Sequence, residues 1–211
     1  MGSGVILTFI ALFIARRLFV RFWPRASPPE DGWERLWNLR RAALERAFGA
    51  AEDSILTAMP PFYLGGGADV LTFRRHLDGV VYTTASLIGD ELSKPNRLGQ
   101  YELMICVRED APWAADLISN LARYTAEAVL SPYDTLDAGP AFPPPTALST
   151  LLFLPYATLN VDGQEASVML CVGITAEELQ FVRDHSVEDL VSRLTARQEY
   201  PYTDLHRDPV V

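Results

Sequence analysis

Residues 168–172, VMLCV, form an unbroken apolar run with valine at both ends, too short for a free-standing helix. That pattern predicts a strand buried on both faces. Gly173 is expected to let the backbone turn, and Thr175 then stands three residues before Glu178. In this capping-box spacing the threonine hydroxyl accepts from the Glu178 amide, and the Glu178 carboxylate accepts from the Thr175 amide. Leu179 and Val182 are expected on the buried face of the helix that follows, with Glu177, Gln180 and Arg183 outward. A second short helix starts at Ser186.

Other stretches of the chain carry equally definite patterns. Asp31, with Glu34 three residues on, predicts a helix over residues 31–51 whose stripe is Trp33, Leu36, Trp37, Leu44, Ala47 and Phe48. Pro60-Pro61 and Gly65-Gly66-Gly67 mark a loop; no Gly-Lys-Ser/Thr follows, so a phosphate loop is excluded. Residues 69–76 and 80–88 read as strands joined by a tight turn at Leu77-Asp78-Gly79. A polar loop spans 89–99 and a strong strand, YELMICV, spans 101–107. A helix is predicted over 113–130, striped by Trp113, Leu117, Leu121, Tyr124 and Ala128 and ended by Ser131-Pro132. The prolines at 140 and 143–145 predict a stiff extended connection over 137–146. Residues 148–159 and 166–174 flank Asp162-Gly163 as a final hairpin, and a polar-aromatic tail, expected to be solvated, closes the chain. The sum is an α/β (α+β) fold: a mixed, mainly antiparallel sheet flanked by helices, in a single domain over residues 31–211.

Residues 1–15 contain no charged side chain, and Arg16-Arg17 follow. Fifteen helical residues rise only about 22 Å against a hydrocarbon core of roughly 30 Å. Continuing to Trp23 supplies the length, with snorkelling arginines and an interfacial tryptophan. Residues 1–23 therefore read as a transmembrane or anchor helix. The basic flank places the body in the cytoplasm, tethered to the inner face of the membrane. A start codon assigned too far upstream, or a short peripheral helix, carries equal weight. Residues 24–30, PRASPPE, hold three prolines and read as a linker.

Charge sharpens this division. The net charge is −9, yet residues 1–29 carry four arginines and no acid, so the body is more acidic than the total shows. Such a body repels phosphate backbones, which argues against nucleic acid, and suits a basic protein partner. Cys106 and Cys171 each lie within a strand-like run. They read as buried free thiols, with a disulfide between adjacent strands as the other reading. His76, His185 and His206 lack metal-ligand spacing, and no nucleophile elbow accompanies Asp184-His185. On a strand, Asp204, His206 and Asp208 would share one face and hold a metal. That cluster carries the alternative reading of a small metal-dependent or hydrolytic enzyme. No catalytic residue, resident metal or cofactor is assigned.

Four blocks in order, GQYELMICV at 99–107, NLARYT at 120–125, VGITAEELQFVRDHSVEDLVSRL at 172–194 and PYTDLHR at 201–207, resemble the suppressor-of-fused family in its bacterial single-domain form. The resemblance covers roughly residues 68–210. It implies a non-enzymatic mixed α/β domain that works by binding proteins. Animal members enclose a short peptide strand with the help of a second, C-terminal domain, whereas the resemblance here implies the single-domain form. Many bacterial members resemble immunity proteins that neutralise toxins. The family's aromatic-rich strand is matched here by GVVYTTASLIGD, at Tyr82 and near Asp90. The expected partner is a toxin or a basic, extended peptide. Its site is placed at Tyr82, Asp90 and Glu91, on a loop expected beside an available sheet edge, where backbone pairing gives affinity and a carboxylate selects a basic side chain.

Overall fold

The computed structural model describes residues 30–211; the anchor at 1–23 and all but the last residue of the linker lie outside the described residues. Contacts set residues 35–211 apart as one compact unit, which holds the whole sheet. Among the described residues no helix is long and apolar enough to cross a membrane.

Helix α1 (Glu30–Phe48) comes first, so Asp31 lies within its first turn rather than ahead of it. Leu44 and Phe48 are buried and Leu36, Trp37 and Ala47 half-buried, whereas Trp33 is exposed. Then come β1 (Val70–Phe73), β2 (Val80–Thr84), β3 (Gln100–Val107), α2 (Pro112–Thr125), β4 (Thr135–Asp137), β5 (Leu148–Val161), β6 (Gln164–Thr175), α3 (Ala176–Asp184) and α4 (Val187–Ala196). The six strands lie in the order β1-β2-β3-β6-β5-β4. Every neighbouring pair is antiparallel except β3 and β6. The expected mixed, mainly antiparallel α+β architecture is what forms.

Both faces of the central strands are covered, which is why those strands read as continuous apolar runs. Tyr101, Leu103, Ile105, Met169 and Cys171 pack with α2 on one face. Met104, Cys106, Val168, Leu170 and Val172 pack with α1 and α4 on the other. Cys106 and Cys171 thus belong to opposite faces, and both are buried free thiols; the disulfide reading is ruled out.

Local departures from the sequence expectation have physical causes. The β1–β2 connection is not a tight turn: Phe73 pairs with Val81, so residues 74–80 lie between them. Gly79 matters there for close approach, because a Cβ would stand 2.5 Å from the Val107 carbonyl oxygen. Helix α2 stops at Thr125, short of Leu130; the Ala126 amide donates to the Arg123 and Tyr124 carbonyls, tightening the last turn. Gly173 does not turn the chain but lies within β6, where a Cβ would meet Thr203 Cγ2 at 2.7 Å and Leu148 Cδ1 at 2.8 Å. Just ahead of the proline-rich connection, and sharing only Asp137 with it, lies a short strand, β4, that the sequence pattern did not announce.

At the start of α3 the capping box forms as the spacing predicts. The Glu178 amide donates to Thr175 Oγ1 at 3.3 Å, and the Thr175 amide donates to Glu178 Oε2 at 2.9 Å. Thr175→Ala should therefore lower the unfolding free energy by about 1 kcal/mol, read as a shifted urea midpoint at constant m-value. Leu179, Phe181 and Val182 are half-buried, and the one fully buried side chain of α3 is Glu178.

Glu178 is buried because the tail returns to it. The tail is not wholly solvated: Tyr202, Thr203, Arg207 and Val210 are buried, while His206 and Asp208 between them are exposed. Thr203 enters where β3 and β6 part. Its amide donates to the Cys106 carbonyl at 2.8 Å, and its hydroxyl accepts from the Gly173 amide at 2.9 Å. Arg207 donates to both Glu178 carboxylate oxygens at 2.5 Å and to the Gly173 carbonyl at 3.0 Å, while the Val210 amide donates to Glu178 Oε1 at 3.0 Å.

Candidate protein-binding groove

A six-stranded open sheet has two outer edges, and they are treated differently. Beside β1, the Glu52 amide donates to the Thr72 carbonyl at 2.9 Å, and Leu56 and Val70 exchange amide bonds at 3.1 and 2.9 Å. That edge is covered. Beside β4 no further strand pairs, so among the described residues the free edge is Thr135–Asp137.

A groove of about 680 Å³ runs between this edge and α2. Helix α2 turns Leu117, Ile118, Leu121 and Ala122 onto the sheet, and the flank of that stripe (Trp113, Asp116, Asn120, Tyr124) forms one wall. Leu136 and Ala138 form the other wall, with Leu151 below. Trp113 meets Phe142 edge-on at 6.2 Å between ring centroids, on the inner part of the groove. Tyr124 and, close by in sequence, Tyr133 are each 42% exposed, with the Arg97 guanidinium 5.4 Å from the Tyr133 ring centroid. An unpaired strand edge beside an apolar trough with exposed aromatic side chains can receive an extended segment of another chain.

The residues singled out in the sequence are dispersed. Tyr82 is 2% exposed, its ring in the core of the α2 face. Its hydroxyl donates to Asp110 and accepts from the Ala111 amide at 3.1 Å, and burial together with Asp110 pushes the phenol up to about 12. Asp90 is half-buried, and its Oδ1 accepts from the Leu92 amide at 2.8 Å, which stabilises its own turn; Glu91 is exposed. Tyr82 pairs with Ile105 near the end of β3, whereas Gly89 donates to Gln100 at its start, so Tyr82 and the acidic pair lie at opposite ends of that strand. The loop over 89–99 joins two interior strands and extends no free edge, contrary to expectation. It is nevertheless fastened beside the groove: the Lys94 amide donates to the Thr125 carbonyl at 3.3 Å, and Asn96 Nδ2 donates to the Leu130 carbonyl at 2.9 Å.

The tail cluster does not assemble. Residues 204–208 form no strand, so alternation does not align them, and Asp204 Oδ1 accepts from the His206 amide at 2.8 Å. Among the described residues no group of three metal-ligating side chains exists. The metal-enzyme reading loses its candidate site.

Sequence reasoning treated Trp113 and Tyr124 as core stripe and passed over β4. The available signal was Asp116 and Asn120, polar residues four apart on the flank of the stripe, next to a tyrosine that only half belongs to it.

Comparison with known proteins adds to this geometry. No curated protein matches the chain. Similar solved structures include a suppressor-of-fused homolog from Neisseria gonorrhoeae FA 1090, with TM-score 0.60 and 18% identity over 83% of this chain and 97% of that one. A Sufu–Fu complex matches at TM-score 0.64 and 14% identity, over 83% of this chain and 91% of the other. Drosophila Suppressor of Fused matches at 0.58 and 13%, over 84% of this chain and 50% of that one. At these identities the structures establish a shared fold. The sequence model of Suppressor of fused protein (SUFU) matches residues 78–208, more than half of the chain. The chain belongs to the suppressor-of-fused family.

Proposed function

We propose that residues 31–211 act as a non-enzymatic protein-binding domain, which takes an extended segment of a partner along the free edge of β4 and over the groove against α2. The observation that carries this reading is the contrast between the edges: β1 is covered by residues 52–56, while among the described residues nothing pairs with β4, which lies beside an apolar groove. Membership of a family that includes a Sufu protein in complex with Fu supports a protein as the partner class. Neutralisation of a toxin by direct binding is the biological role that the resemblance to bacterial single-domain members brings to this proposal. Asp90 and Glu91, on the loop fastened to the end of α2, flank the entry and steer a basic partner.

The test begins with a partner recovered from cells by the full chain. Tyr124→Ala removes a half-exposed aromatic from the groove wall and should weaken binding by about 2 kcal/mol, with the thermal midpoint nearly unchanged. Reversing the charge of Asp90 and Glu91 together should slow association and flatten its salt dependence. A partner bound equally well by the Tyr124→Ala variant uses another surface.

The membrane tether is part of the same proposal, and its support is the uncharged run before Arg16-Arg17. Full-length protein should sediment with membranes and resist alkaline extraction, whereas a chain beginning near Pro28 should remain in the supernatant. Full-length protein found wholly in the supernatant removes the tether.

A further inference from the structure

The free edge carries a second pattern, which bears on what the partner segment looks like. Along β4 the exposures alternate: Thr135 and Asp137 are exposed and Leu136 is half-buried against the α2-side core. Side chains of a strand alternate between faces, so Leu136 faces the groove and Thr135 the other side, while Asp137, at the end of the strand, borders the groove as well. A strand added to this edge acquires the same two-sided environment. Its residues on the groove side meet Leu136, Leu117 and Leu121; its intervening residues stand beside Asp137 and Thr135.

The charged residues that line the groove, Asp116 and Asp137, are of one sign. Asp137 Oδ1 accepts from the Gly139 amide at 3.3 Å, and its other oxygen has no hydrogen-bond partner among the described residues. Asp116, on the rim of α2, is exposed and in no ion pair among the described residues. No lysine, arginine or histidine lines the groove. Elsewhere some carboxylates do have cations: exposed Asp110 and half-buried Glu52 share Arg74, and Asp162 holds Arg35.

We infer, resting on the proposed strand-binding role of this groove, that the β4 edge selects a segment in which apolar residues alternate with lysine or arginine. The apolar residues fill the trough between α2 and β4. The basic residues lie on the opposite side of the added strand, next to Asp137, or at its end beside Asp116. A cation there answers carboxylates that nothing else in the described protein answers. A glutamate or aspartate in the same position adds like charge directly opposite like charge, which is unfavourable. Backbone pairing sets the affinity of any extended segment, and the alternation of side chains sets which segment is preferred.

The experiment uses the full chain and three labelled peptides of equal length with valine at alternate positions and lysine, serine or glutamate between. Binding is followed by anisotropy and by perturbation of the Thr135, Leu136 and Asp137 amides. The lysine peptide should bind about fivefold or more tighter than the serine peptide, the glutamate peptide weakest, and the lysine advantage should shrink with added salt. Asp116→Asn with Asp137→Asn should abolish that advantage, so that the variant binds the lysine and serine peptides about equally. Equal binding of lysine and serine peptides, or an advantage that survives both substitutions, overturns charge selection and leaves the strand-binding role standing. Absence of amide perturbation by any of the three overturns both.

Discussion

Arg207→Ala should lower the unfolding free energy by roughly 3–5 kcal/mol, the range for breaking a buried ion pair from one side. Arg207 and Glu178 are 1% and 0% exposed, so neither charge has water to fall back on. The substitution removes two bonds to the carboxylate and one to the Gly173 carbonyl, and it leaves Glu178 with only the Thr175 and Val210 amides. Denaturant titration measures the loss. Arg207→Met combined with Glu178→Gln should lose less than Arg207→Ala alone, because no uncompensated charge remains. Equal losses would mean that packing, not charge, holds the tail. Acid adds a second signature. Burial alone would push the Glu178 carboxyl up, but Arg207 and the two amides hold it below the usual carboxylate range. A carboxylate held down in the folded state contributes stability above its unfolded pKa and loses it as pH falls through the depressed value. Wild type and Arg207→Ala should therefore converge in stability under strongly acidic conditions.

Glu102→Leu should cost roughly as much, about 3–5 kcal/mol, by a different route. Glu102 is fully buried on the α1 side of β3. Its Oε1 accepts from the Leu87 and Ile88 amides at 2.9 and 3.0 Å, and its Oε2 accepts from the Thr84 hydroxyl at 2.6 Å. Leucine orphans both amides and removes the negative charge nearest in effect to the buried Arg40, whose Nε donates to the Ile88 carbonyl at 2.5 Å. Glu102→Gln keeps an oxygen for the amides and should cost less than about 1.5 kcal/mol. Burial pushes the Glu102 carboxyl up against the pull of Arg40 and its hydrogen bonds. The folded protein therefore keeps this proton longer than the unfolded chain, and stability falls as pH rises from the unfolded value through the raised one. That fall should be absent from Glu102→Gln. A glutamine variant as damaged as the leucine variant would sink the assignment of this carboxylate as an amide acceptor.

Both residues show where sequence reading reaches and where it stops. Glu178 was legible as a cap partner because the box is local, three residues from Thr175. Its second partner, Arg207, is 29 residues away in a stretch whose polarity suggested solvent. Strands β3, β5 and β6 were legible from apolar runs that have no helical period, because short length, β-branched content and flanking turn residues favour a strand over a buried helix. Strand β4 was not, because three residues among prolines carry no periodicity. The candidate site suffered most. Tyr82 looked like a surface aromatic by resemblance, but its parity in β2 puts the ring under α2. Tyr124 looked like core by spacing, and its place on the flank of the helix leaves it half-exposed. Which side of a stripe meets the sheet depends on where the helix docks, and docking is a long-range property.

Thr203 fills the opening between β3 and β6, and Arg207 and Val210 fasten it there. A ribosome delivers these residues after every strand of the sheet. A nascent chain that has already emerged as far as α4 still has β3 and β6 gaping at one end, with the Gly173 amide and the Cys106 carbonyl unmet. Completion of the fold is thereby timed to the release of residues 202–210, and a chain cut short before them presents chaperones and proteases with an open seam in its centre.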